Sequence, residues 1–318
     1  MVVIKSGAIR FAIAPYLLTL TGFINFITIL EIKVAKRESI PKHVKEILRR
    51  EVGFGCPVRN CGNPYLEYHH FDPPVHVKPH NNPEGMIALC PHHHKKADGN
   101  AYTIEQLHEF KQNKVNSSFV CGNLEWLRRD ILSIVGGNAY YETPIPVQID
   151  GHNVVKFTRD ELGYQRLSIK MLSLAPEERI IIDENSWENI GNPIDLRSPP
   201  QGKELEVIYM NGDYLHLKFL EIKDAEMLKC LYEINTNKII NFPITAIEIN
   251  FSIAGTTIEF KTTGTKALGT SISRSVSIRC GIGMMINTKI LWQQNPRWKL
   301  QQKYEVTGEN IIKARFGK

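Results

Sequence analysis

Cysteine is scarce in this 318-residue chain: there are six, and three of them fall between Cys56 and Cys90 among crowded histidines. That distribution argues against a disulfide framework, because a chain this long needs no covalent staples to build a core. The second half has no Gly-rich phosphate loop, no Ser-His-Asp order and no second cluster of cysteine and histidine, so it offers no nucleotide cradle, serine nucleophile or metal centre of its own. Charge is missing from Phe11 to Leu30, FAIAPYLLTLTGFINFITIL, and no small-x-small cleavage site follows. Such a run rises about 30 Å as a helix, enough to cross a bilayer. Pro15, Asn25 and the threonines also leave a buried hairpin open, and an overlong reading frame is a third reading, although no methionine lies between Met1 and Met86. If residues 11–30 do associate with the membrane, the basic cluster behind them (Lys33, Lys36, Arg37 and onward) keeps the rest of the chain cytoplasmic. Otherwise the whole chain is expected in the cytoplasm, whose reducing conditions suit thiolate ligands.

What the chain does have is concentrated. Residues 56–98 hold seven of the eleven histidines. Cys56 and Cys61 form a C-x4-C pair, and Cys90 with His93 a C-x2-H pair; together they can close one tetrahedral Zn²⁺ site. His69, His70 and His94 are then left over and need a second role. Alternation along a strand sends His69 and His70 to opposite faces, so one can meet a metal while the other meets a reacting group. His76, His80 and His92 read as loop or surface residues, with His80 the strongest exception.

Cys56 and Cys61, then Glu67-Tyr68-His69-His70-Phe71, then Leu89-Cys90-Pro91-His92-His93-His94-Lys95, give an order and spacing that resemble the HNH endonuclease family over roughly residues 40–100. The resemblance implies a zinc-stapled ββα-metal module. His70 would be the general base, His69 and His94 ligands of a catalytic Mg²⁺ or Mn²⁺, and Cys56, Cys61, Cys90 and His93 ligands of structural Zn²⁺. DNA would be the partner. The family often places Asn where this chain has Gly85; Asn81 or Asn82 is a substitute. Two rival readings are a zinc-stapled nucleic-acid-binding module without catalysis and a membrane-tethered sensor.

Around this segment, residues 39–51 carry helix signals: Ser39 as cap, Pro41 near the first turn, and Val44, Ile47 and Leu48 on one stripe. Lys42, Lys45, Arg49 and Arg50 on the other faces suit phosphate contact, as do Lys95 and Lys96 further on, and the net charge of +6 agrees with a polyanionic partner. A second helix is expected from Cys90-Pro91 to about Ala97 with Gly99 as stop, and a third behind the Thr103/Gln106 capping box. Leu124 to Val135 has helical periodicity, with a strand as the alternative. Beyond Gly136-Gly137 short β-prone runs dominate, and Asn211-Gly212-Asp213 marks a hairpin. Cys121, Cys230 and Cys280 read as isolated buried thiols. Trp187 reads as core, and Trp292 and Trp298 as a possible recognition surface. The expected fold class is α+β: a hydrophobic segment over 1–37, the metal module over 38–115, and a mainly antiparallel β domain over 116–318. That last part loosely resembles the tails of bacterial HNH proteins with a Gly-Phe-Gly-Cys entry, here Gly53-Phe54-Gly55-Cys56. Target recognition, regulation and oligomerisation are its open roles.

Overall fold

The computed structural model describes residues 39–235, 239–290 and 292. The expected membrane-associating run at 11–30 and Trp298 lie outside them. Among the described residues no helix is long and apolar enough to cross a membrane. The fold class is α+β, with mostly antiparallel sheets.

Helix α1 (Lys42–Glu51) starts behind Pro41 rather than Ser39 and has no side-chain cap. Val44 and Leu48 are buried as the apolar stripe requires, but Ile47 is exposed and Arg49 takes the buried place instead. The helix ends because Gly53 (φ +77°) and Phe54 (φ +68°) are left-handed. A Cβ on Gly53 would sit 2.2 Å from the Val115 carbonyl, so only glycine allows that crossing. Phe54 then inserts into the core of the β domain, which fixes the start of the cysteine loop.

Strand β1 (Glu67–His70) pairs antiparallel with β2 (Met86–Leu89), His69 opposite Ile87 and His70 opposite Met86. Every residue of β2 is buried. Helix α2 (Pro91–Asp98) follows at once, with Cys90 as N-cap, Pro91 where a missing N–H costs nothing, and Gly99 as C-cap. Helix α3 (Ile104–Gln112) opens with the expected reciprocal capping box of Thr103 and Gln106. Its Lys111 reaches back to Glu51 and to the carbonyls of Pro83 and Met86, tying the small helices to the hairpin.

The rest is β-rich. One described sheet runs Ile282–Ile286, Ile145–Ile149, His152–Arg159, Gln165–Lys170, Ile181–Asp183, Ser186–Glu188 and Cys121–Asn123 in spatial order. The other is built on the long antiparallel pair Tyr214–Ile222 and Ile244–Ser252, flanked by Glu204–Ile208 and Asp195–Arg197 on one side. The hairpin at residues 211–213 forms as expected, closed by the Tyr209 N–H donating to the Asp213 carbonyl.

Several expectations fail for physical reasons. Over Leu124 to Val135 the helical reading fails and its strand alternative holds for part of the stretch. Ile131–Val135 is a strand buried at every residue, parallel to Ile244–Ser252 and antiparallel to Asn138–Tyr141. A strand covered on both faces is apolar throughout and shows no alternation to reveal it. Helix α4 (Ala225–Tyr232) is an element the β-dominated reading lacks. The three outlying cysteines are exposed, not buried. Cys121 lies on a sheet-edge strand, Cys230 on the outer side of α4, and Cys280 between two strands. Trp187 is core as expected; Trp292 is buried too, its Nε1 donating to Asp150 at 2.7 Å, and offers no recognition surface.

Candidate functional site

Two ligand clusters flank α2. In the first, the side chains of Cys56, Cys61, Cys90 and His93 place their donor atoms within 4.8 Å of one another. The chain supplies them by tight local geometry. The Cys61 N–H donates to Val58, the Gly62 N–H to Cys56, and the Cys56 N–H to Asn63, folding the C-x4-C segment into a knuckle. Cys90 and His93 sit one turn apart at the start of α2. His93 Nδ1 lies 3.2 Å from both the Cys56 and Cys90 sulfurs, and the Cys61 and Cys90 sulfurs are 3.8 Å apart. Zinc–sulfur and zinc–nitrogen bonds of about 2.3 and 2.0 Å imply tetrahedral edges of about 3.5 to 3.8 Å. The donor set therefore fits a structural zinc ion, as the sequence led us to expect. Burial pushes the Cys56 and Cys90 thiols up and His93 down, with His92 and Lys96 adding to the latter. Neutral His93 is the form that ligates, and thiols this buried ionise readily only against a cation.

The second cluster is His69, His94 and Asp98. Asp98 bridges the two rings, with Oδ1 3.1 Å from His69 Nδ1 and Oδ2 3.3 Å from His94 Nδ1. The rings meet edge to face at 5.1 Å. Glu67, two residues before His69 on the same face of β1, brings a carboxylate oxygen 3.5 Å from His94 Nδ1. Burial lowers the His69 pKa, with the His94 charge adding, while Asp98 opposes. Burial is graded across the cluster: the His69 side chain is 11 % exposed, His94 23 % and Asp98 57 %. Three converging protein ligands with one open side differ from the closed four-ligand set beside them, and leave positions for water or substrate.

His70 points elsewhere. Its Nε2 lies 3.0 Å from the His80 carbonyl. A carbonyl only accepts, so Nε2 carries the proton in this hydrogen bond. His80 is no ligand of either cluster; its role is to shape the loop. Its Nε2 donates to the Pro73 carbonyl at 2.9 Å, its Nδ1 accepts from the Asn82 N–H, and its ring stands edge-on to His70. The Gly85 carbonyl accepts from the backbone N–H groups of Phe71 and Asp72, the two residues after His70. An added Cβ at Gly85 would lie 1.8 Å from the Asp72 carbonyl oxygen. The loop is thus closed by backbone at Gly85. Asn82 contributes only a local cap on Glu84.

The basic residues divide. Lys42, Arg50, Lys95 and Lys96 are exposed and Lys45 is half-buried, with its ammonium over the Tyr68 ring. Arg50 also donates to the Ile194 carbonyl. Arg49, expected on the phosphate-facing surface, is 2 % exposed. It donates to both carboxylate oxygens of Asp195, at 2.8 and 2.5 Å, and to the Tyr68 hydroxyl. It joins the hairpin and α1 to the β domain and is removed from the surface set. His76 and His92 are exposed, as expected.

Asp98 is the site residue that sequence reasoning missed. The signal was present: His94-x3-Asp98 puts two ligands on one helical face, but ending α2 at Ala97 left Asp98 outside it. No protein-family model, curated protein or solved structure matches this chain, so its chemistry is read from its own residues.

Proposed function

We propose that the chain is an HNH-type, metal-dependent endonuclease that hydrolyses phosphodiester bonds in DNA, with β1, β2 and α2 as its ββα-metal module. The observation that carries this reading is the divergence of two adjacent histidines. His69 turns into a cluster of imidazole and carboxylate with Asp98 on its exposed side, while His70 turns to the His80 carbonyl. His69, His94 and Asp98 would hold Mg²⁺ or Mn²⁺, which supplies stabilisation of the charge that builds on the scissile phosphate and leaving oxygen. His70 would take the proton of the attacking water as its oxygen bonds to phosphorus, and the bond from phosphorus to the leaving sugar oxygen breaks. The zinc set holds the start of α2 against the cysteine knuckle, and so positions His94 and Asp98. Lys95 and Lys96, next to His94, and Lys42, Lys45 and Arg50 on α1 bind backbone phosphates.

The test is plasmid nicking by the full zinc-loaded chain across divalent metals. Cutting with Mg²⁺ or Mn²⁺ is expected, with His70→Ala lowering it by about 10²- to 10⁴-fold and Asp98→Asn by a comparable factor, while zinc content stays at one ion per chain. Salt-sensitive DNA binding without cleavage under any metal would overturn the nuclease reading.

A further inference from the structure

Beside the second cluster lies a cavity of about 380 Å³, bounded by α1, β1 and the loop that follows Asp195–Arg197. Nothing in the reaction described above uses it. Its walls are of two kinds. Pro199, Pro200 and the Tyr68 ring are flat and apolar, and Gln201 and Ser198 add hydrogen-bonding groups. Lys45 and Glu67 also line it, and Glu67 is the residue whose carboxylate reaches His94. One residue thus belongs to both the cavity and the cluster.

The walls are held in place. The Tyr68 hydroxyl accepts from Arg49 at 2.6 Å, and Arg49 is clamped by Asp195, so the ring is anchored to the β domain. Ser198 is fixed by donating to the Glu204 carbonyl and by a bridge to Tyr65. Two charges in the wall are committed: Arg49 to Asp195, and Arg197 to Glu204 and Glu206. That leaves Lys45, whose ammonium stands over the Tyr68 ring, to meet an anion at the edge of a pocket whose wall is part apolar and part polar, with Glu67 as its other charge. A size of a few hundred cubic ångströms suits one small ligand moiety. Flat apolar faces, a side-chain amide and one cation are the groups that hold an unstacked base and its phosphate.

We infer that this cavity receives one nucleotide of the DNA, next to the scissile phosphate, with its base unstacked between Tyr68 and the Pro199-Pro200 wall and its phosphate against Lys45. The inference rests on the endonuclease reading and gives the β domain a part in substrate recognition. Gln201 meets the base edge as an amide that both donates and accepts, and so sets a base preference at that position.

The probe is a short DNA duplex in which 2-aminopurine, bright when unstacked, replaces one base at a time. Binding to the full chain is followed with no Mg²⁺ or Mn²⁺ added, and cutting is followed separately with them. Brightening is expected at one position beside the cut. Pro200→Trp, which fills the cavity, should abolish it and weaken binding about fivefold to a hundredfold, the span of one base stack. Gln201→Ala, an exposed change, should keep the brightening and lose the base preference. Cutting without brightening at any position, or wild-type behaviour in Pro200→Trp with full zinc content, overturns the cavity assignment alone. Brightening at a single position without cutting supports the cavity as a site for an unstacked base and overturns both the nuclease reading and the place beside a scissile phosphate. Absence of DNA binding overturns both.

Discussion

Replacing Asp195 by Leu should destabilise the protein more than any surface substitution. Asp195 is 4 % exposed and Arg49 2 %, and two hydrogen bonds of 2.8 and 2.5 Å join them. With the charge centres about 4 Å apart and an effective dielectric of about 20, the attraction is about 4 kcal/mol. Burial alone would lower the Arg49 pKa, yet its hydrogen bonds and charge contacts with Asp195 and Tyr68 push it above the usual arginine value. Leu at 195 leaves Arg49 buried with Tyr68 as its remaining partner, which costs about 3 to 5 kcal/mol. The double change Arg49→Met with Asp195→Leu removes both charges and should lie much closer to wild type. Equilibrium urea unfolding of the four proteins, zinc-saturated, gives the coupling energy directly. A loss below about 1 kcal/mol for Asp195→Leu would refute the argument, because it is the value of a solvated surface pair. The same proteins test the reassignment of Arg49: the salt dependence of DNA binding by the folded double variant should match that of wild type, since a residue that touches no phosphate releases no counterion.

Other consequences are read as simply. Cys61→Ser should lose bound zinc and several kcal/mol of stability, whereas Cys121→Ser and Cys230→Ser should leave both unchanged, by metal analysis and thermal melting. Gly85→Asn, which introduces the residue that the HNH resemblance leads one to expect there, should cost about 1 to 3 kcal/mol and, on the proposed nuclease reading, reduce nicking, because its Cβ meets the Asp72 carbonyl; raised activity would overturn the backbone closure of that loop. The Glu204 carboxyl is held at about 2, first by its hydrogen bond from His216 and then by Arg197. A depressed carboxyl stabilises the fold above its unfolded value near 4.5 and loses that contribution as pH falls towards 2. Melting curves of wild type and Glu204→Gln should therefore differ, on the order of 1 kcal/mol, above pH 4.5 and converge near pH 2; a constant difference would contradict the linkage.

Local rules carried much of this molecule. The C-x4-C and C-x2-H spacings, the Thr103/Gln106 box, the Gly99 stop and the Asn211-Gly212-Asp213 hairpin depend on neighbours a few residues away, and each formed as expected. The alternation at His69 and His70 is also local, since successive side chains on a strand must diverge. The elements that escaped depend on distant partners. Ile131–Val135 is a strand because Ile244–Ser252 and Asn138–Tyr141 cover it, and its own periodicity could not say so. Arg49 reads as a surface cation until Asp195, 146 positions away, is placed beside it. Gly85 reads as a missing asparagine until the Asp72 carbonyl fills the space a side chain would need.

By itself the sequence determined the cluster of Cys56, Cys61, Cys90 and His93, the helix that carries part of it and the opposed directions of His69 and His70, because each follows from spacing along a few residues of backbone. Tertiary structure alone decided that His69 meets His94 and Asp98 in one cluster, that Arg49 is a buried clamp and that the β domain walls a cavity beside Glu67. Those outcomes turn on which charges lose their water and which find a partner, and that is settled only when remote segments pack.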